Sequence, residues 1–155
     1  MFHVDGAAVI RDDSRINDHG NRNPAQFVIY HRGSTQIVVR DNVIFRGSIA
    51  APHANVTLRD DVVIEGNILS GSDTVLLQDD VRLIGVLYAP SAAITIRDDV
   101  QVAGTAVGRS LGMQNDSRLT IDPSILARFD PFAQELQLWQ GAAGQTISFH
   151  RWGAR

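Results

Sequence analysis

The sequence predicts an all-β fold: a single-domain parallel β-helix of about six rungs, right-handed and triangular, closed by a short helical C-terminal cap. Three observations carry this. A charged tetrapeptide recurs as RDNV (40–43), RDDV (59–62), QDDV (78–81) and RDDV (97–100), each start 19 residues after the last. Between these marks apolar residues fall at i and i+2, the period of a strand with one face in and one out. A glycine stands in the eighth column of every repeat, at Gly47, Gly66, Gly85 and Gly104.

Taken from the N-terminus, Arg11-Asp12-Asp13-Ser14 marks an early rung. A polar excursion near 17–23 delays the next mark, so it comes 29 residues later, at Arg40. Full rungs follow at 40–58, 59–77 and 78–96, with a shortened one from 97. Their inward columns read Val43, Val62, Val81, Val100, then Phe45, Ile64, Leu83, Val102, then Ile49, Ile68, Leu87, Ala106. Val56, Val75, Ile94 and Leu58, Leu77, Ile96 complete the set. Within one rung the anchors Val43, Ile49, Val56 and Val62 are spaced 6, 7 and 6 residues apart, which gives three short strands per turn. The glycines mark one corner and Pro52, Gly71 and Pro90 another. Gln114-Asn115-Asp116-Ser117 is the last mark, so the solenoid is expected over 1–121.

Beyond it, 122–155 reads as a helical segment and a closing strand. Asp122-Pro123 and Asp130-Pro131 pair an N-cap residue with proline at the first helical position. Phe132, Leu136 and Trp139 share a helical face, Gly141 and Gly144 end it, and 145–152 alternates like a strand. A cap suits an open end, where core and strand edge would otherwise be bare.

Composition excludes several classes. A chain of 155 residues with net charge −3 has no electrostatic footprint for nucleic acid. With no cysteine it has no disulfide, thiolate metal site or cysteine nucleophile. No signal peptide and no membrane-length apolar run is visible, so no membrane contact by this segment is expected.

The repeated aspartates Asp41, Asp60, Asp79 and Asp98 are read as corner braces whose side chains accept backbone hydrogen bonds in Asx-turns. Two other readings are a Ca²⁺ ladder of hard oxygen ligands and a surface for basic partners. The glycine-rich nonapeptide of calcium-binding β-rolls is absent, so no metal or other cofactor is assigned. The five histidines show no metal-ligand spacing. His53 sits at a corner, where left-handed β-helix acyltransferases place a histidine, but the uneven spacing departs from their six-residue period. A carboxylate cluster repeated in every rung argues for structure over a single active site, so no catalytic residue is assigned and the chain is read as a non-enzyme. Ala50, Leu69, Tyr88 and Val107 form an outward apolar column. Such a band is covered either by the segment 129–139 or by another subunit, and it is the candidate interface.

The stretches FHVDG (2–6), NPAQFVIYHRGS (23–34), GSIAAPHANVTL (47–58), GVLYAPSAAITI (85–96), AVGRSLGM (106–113), RLTIDPSI (118–125) and SFHRW (148–152) resemble one family. It is the β-helical domain of PilX-type bacterial pilus-assembly-associated and related surface proteins. The resemblance implies a non-enzymatic structural or adhesive module of a surface or pilus-type assembly, extracellular or in the cell envelope. Its partners would be further copies of itself or other assembly proteins. The chain departs from that family in its Arg-Asp-Asp corners and in lacking a preceding membrane helix, which leaves the cytoplasm as the alternative location. By architecture alone it also resembles the bactofilins, so a self-assembling scaffold, or a viral decoration protein, is the second reading. A β-helix acyltransferase or a polysaccharide-active enzyme is less favoured.

The column assignment is directly testable. Val62→Asp buries an unpaired charge and should destabilise by about 3–5 kcal/mol, whereas Arg82→Asp, pointing outward, should cost under about 1 kcal/mol. Equal melting temperatures for the two variants would overturn the inward and outward assignments.

Overall fold

Val, Ile and Leu alternate with polar residues in each short run, and a pleated strand satisfies that pattern by turning one face inward. The computed structural model describes residues 1–20, 23–122 and 124–125. The first layer is β1 (Phe2–Val4), β2 (Ala8–Ile10) and β3 (Arg15–Ile16). A 3₁₀ turn at Pro24–Gln26 leads to β4 (Val28–His31), β5 (Ile37–Arg40) and β6 (Ile44–Arg46). Then come β7 (Ser48–Ala51), β8 (Val56–Arg59) and β9 (Val63–Glu65), and above them β10 (Ile68–Ser70) and β11 (Thr74–Gln78). The strands β12 (Arg82–Arg97) and β13 (Gln101–Met113) each run through more than one face before β14 (Arg118–Thr120).

Among the described residues all pairings are parallel, and they form three stacks. In the first, Phe2, Ile29, Ile49, Ile68, Leu87 and Ala106 lie in register. The second aligns Ala8, Ile37, Val56, Val75, Ile94 and Leu111. In the third, Arg15, Ile44, Val63, Arg82, Gln101 and Arg118 are superposed. Each face therefore carries a strand from each of six layers, and the chain visits the stacks in the same order every time. The six tetrapeptide corners delimit five intervals, so the described chain makes about five turns.

The expected inward columns fill the bore. Val43, Val62, Val81 and Val100, and Phe45, Ile64, Leu83 and Val102, are at most 1% exposed. Ile49, Ile68, Leu87, Val56, Val75, Ile94, Leu58, Leu77 and Ile96 join them in one core cluster. Each such side chain stabilises the fold by roughly 1.5–3 kcal/mol relative to exposure. Val4, Ala8, Ile10 and Ile16 pack onto this core from the first layer, and Leu119 does so from the last.

The glycine column answers a steric demand. Gly66, Gly85 and Gly104 hold φ of +151°, +150° and +138°, where L side chains are strained. A Cβ on Gly66 would stand 1.8 Å from the carbonyl oxygen of Gly47, and one on Gly85 or Gly104 1.9 Å from that of the glycine one layer below.

The polar excursion is tied back to the third face. Asn17 Nδ2 donates to the Arg46 carbonyl at 2.9 Å, and Arg46 pairs through Nη1 with Asp18 and through Nε with Glu65 at 3.0 Å. The helical cap is the one part of the expected architecture without support. Among the described residues only Ser124 and Ile125 are helical, and the stretches read as the cap helix and the closing strand, 130–139 and 145–152, lie outside them. At the approach to that stretch Asp122 accepts from Ser124 N at 2.9 Å and from Ser124 Oγ at 2.7 Å, as an N-cap does. These bonds hold its carboxyl below the ordinary carboxylate value, the side-chain bond most of all. No described helix is long and apolar enough to cross a membrane.

Gly66→Ala should therefore destabilise by about 3 kcal/mol or more. Gly112→Ala is the control: its Cβ would meet nothing nearer than the Ile94 carbonyl at 4.0 Å, and the change should stay within about 1 kcal/mol. Coincident urea midpoints would show that the layers have slack where none is visible.

Candidate functional site

The corners are the most repeated chemical feature. Asp12-Asp13, Asp41-Asn42, Asp60-Asp61, Asp79-Asp80, Asp98-Asp99 and Asn115-Asp116 all have both residues at positive φ, between 51° and 64°. That left-handed conformation costs most L residues roughly 1–2 kcal/mol each, and Asp and Asn tolerate it best. The layers are then stitched by backbone. The second residue of one pair donates its N–H to the first residue's carbonyl one layer on: Asn42 to Asp60 at 2.9 Å, Asp61 to Asp79 at 3.0 Å, Asp80 to Asp98 at 3.0 Å and Asp99 to Asn115 at 3.0 Å.

This differs from the Asx-turns expected. The carboxylates of Asp41, Asp60 and Asp98 instead face the preceding arginine of their own tetrapeptide, at 3.1 Å, 3.4 Å and 3.5 Å for Arg40, Arg59 and Arg97. Asp79 accepts from Gln78 Nε2 at 2.6 Å, and Gln78 Oε1 accepts from Arg97 Nη2 of the next layer at 2.8 Å. Asparagine also breaks the run of carboxylates near its ends. Asn42 Nδ2 donates to Asp13 and Asn115 Nδ2 donates to Asp98, both at 2.6 Å. Residue type at the corner is thus set by backbone conformation, and charge by the neighbouring column.

Among the described residues no three His, Cys, Asp or Glu side chains meet in a metal-holding arrangement. Asp61, Asp80 and Asp99 point into solvent. On the adjoining outer face Arg11, Arg40 and Arg59 line a shallow groove with Val9 and Val38, each arginine beside its own aspartate.

His53 is exposed at the proline corner, in a shallow depression with Ser34, Asn55, Ser72 and Asp73. Beneath it Ser70 is fully buried, its hydroxyl donating to the Ala54 carbonyl at 3.1 Å and sharing a 2.7 Å bond with Ser72 Oγ. That serine braces the corner and is committed to it. His3 and His19 are exposed elsewhere, and His150 lies outside the described residues. His31, which the sequence did not single out, is fully buried between two backbone carbonyls, Gly33 O at 3.0 Å from Nδ1 and Gly6 O at 2.7 Å from Nε2. It ties the corner of the first layer to that of the second. Arg46 was likewise missed, because its two acidic partners belong to one layer each and repeat in no column.

Of the outward apolar column, Ala50, Leu69 and Tyr88 are buried without belonging to the core cluster, and Val107, on the last full strand, is 41% exposed. The segment 129–139, which the sequence nominates as cover, lies outside the described residues. Burial pushes the Tyr88 hydroxyl above the ordinary tyrosine value of 10.0.

Comparison with protein-family models, with curated proteins and with solved structures finds no match.

Tyr88 gives a clean alkaline test, because all fourteen Lys-plus-Arg positions are arginine and the sequence holds only two tyrosines. The unfolded chain loses the Tyr88 proton first, so stability is intact below the ordinary tyrosine value and falls as pH climbs through the raised one. Between about pH 9 and 11 wild-type stability in urea should drop more steeply than that of Tyr88→Phe. Parallel pH profiles would place the Tyr88 hydroxyl in water.

Proposed function

We propose that the chain is a non-catalytic structural module, structural or adhesive, of a bacterial surface or pilus-type assembly. The observation that carries this reading is the sameness of the layers. Each corner uses the same left-handed pair and the same layer-to-layer backbone bond, so the conspicuous charged groups are engaged in stacking. A reaction centre needs one layer to differ from its neighbours by convergent groups held in a cleft. His53 faces a shallow, exposed depression over a serine already engaged in the corner. The PilX-type motifs add the surface setting, with the cell envelope as the location and further assembly proteins as partners. The second reading, a self-assembling scaffold, is favoured by the form of the two ends.

The test separates rod from site in the cells that make the protein. Antibody labelling should find the chain at the cell surface. Val62→Asp, which breaks the rod, should match a deletion in phenotype, while His53→Ala should behave as wild type. A folded His53→Ala chain that loses function would sink the non-catalytic reading.

A further inference from the structure

The two ends of the solenoid differ in a complementary way. β1, the first strand, belongs to the first stack, and β14, the last described strand, to the third. Every layer runs first, second, third stack, so the described strands stop in the phase at which a new layer would begin. On the C-terminal edge β14 pairs only with Gln101–Ala103 of β13. The rest of that edge, from Val107 to Asp116, is exposed without interruption, and among the described residues no strand pairs with it. Two bore columns end there in Leu111, 45% exposed, and Met113, 38% exposed. On the N-terminal edge Phe2, 60% exposed, heads the column that ends in Ala106.

We infer that the N-terminal edge of one copy stacks on the C-terminal edge of another, head to tail and in the register of the layers. The inference rests on the structural reading above and names its partner, a second copy of this chain. Continuing the columns sets Phe2 over Ala106 and Ala8 over Leu111, large against small in both cases. It sets Arg11 over Gln114, the pairing that Arg97 and Gln78 already make inside the chain at 2.8 Å. At the corner the Asp116 N–H would reach the Asp12 carbonyl, repeating the bond of Asp99 to Asn115 at 3.0 Å. Asn115 would put an amide, in place of a sixth stacked carboxylate, against Asp12. Parallel edges are unlike each other, so the contact is heterologous and does not close: it propagates.

Light scattering on the full chain tests this with two exposed substitutions, Phe2→Asp at the head and Leu111→Asp at the tail. Wild type should rise in mean mass with concentration, well beyond twice the monomer. Each variant alone should stay monomeric with unchanged β circular dichroism. An equimolar mixture should double in mass and stop, because each variant keeps one sound end. A wild type that stays monomeric at millimolar concentration, its ends bare or covered by 126–155, overturns the proposal. So does a variant that still associates, which would point to a lateral or like-to-like contact. Neither result touches the non-catalytic reading, which stands or falls on His53→Ala.

Discussion

Successive layers of the solenoid must come within backbone hydrogen-bonding distance all the way round, and the glycine column is where that demand is harshest. Parallel strands sit about 4.8 Å apart. At the corner before the first face the chain turns so tightly that Gly66 faces the Gly47 carbonyl with no room for a methyl group. The lowest position of the column is held by Phe27, whose carbonyl accepts from Ser48 N at 2.8 Å. Its ring packs edge-on against Phe45, the centroids 5.7 Å apart, and its Cδ1 would stand 2.9 Å from a Cβ on Gly47. Once this corner closes, the apolar columns superpose and the bore fills without further instruction.

Stacking like on like has an electrostatic cost, which the outer columns reduce locally. An aspartate at the same place in successive layers repels its neighbours across a strand spacing. The chain answers with an arginine or glutamine one position earlier and with asparagine near the ends of the run. Such exposed pairs are worth little each, roughly 0–1 kcal/mol, so their role is to cancel repulsion rather than to add stability. The left-handed backbone is the real reason for the acidic pair, and aspartate is tolerated there because its charge has a neighbour.

Much of this was legible because a column states its constraint once per layer. Valine at 43, 62, 81 and 100 cannot be coincidence, and glycine at 47, 66, 85 and 104 marks a place of close backbone approach. What escaped notice occurs once. His31 sits between two carbonyls supplied by corners of unequal length, and Arg46 meets Asp18 only because the excursion folds back over the third face. The Asx-turn expectation failed for a different reason. Aspartate favours both that turn and the left-handed region, and composition cannot separate two local solutions that share a residue type. For Ala50, Leu69 and Tyr88 the alternation suggested an outward face, but burial on the outside of a strand depends on what lies above it.

The uniform register also has a mechanical side. The hydrogen bonds between layers run along the rod while the covalent chain runs round it, so tension applied through the chain ends loads one layer at a time. A layer that gives way releases its whole circuit. For a 19-residue layer that is a fixed increment of contour, roughly 65 Å when fully extended. Bending, by contrast, has to stretch one stack and compress the other two together. Under load, such a coil would be stiff against sideways force and would yield axially in steps, equal across the 19-residue layers, like a ratchet paid out tooth by tooth.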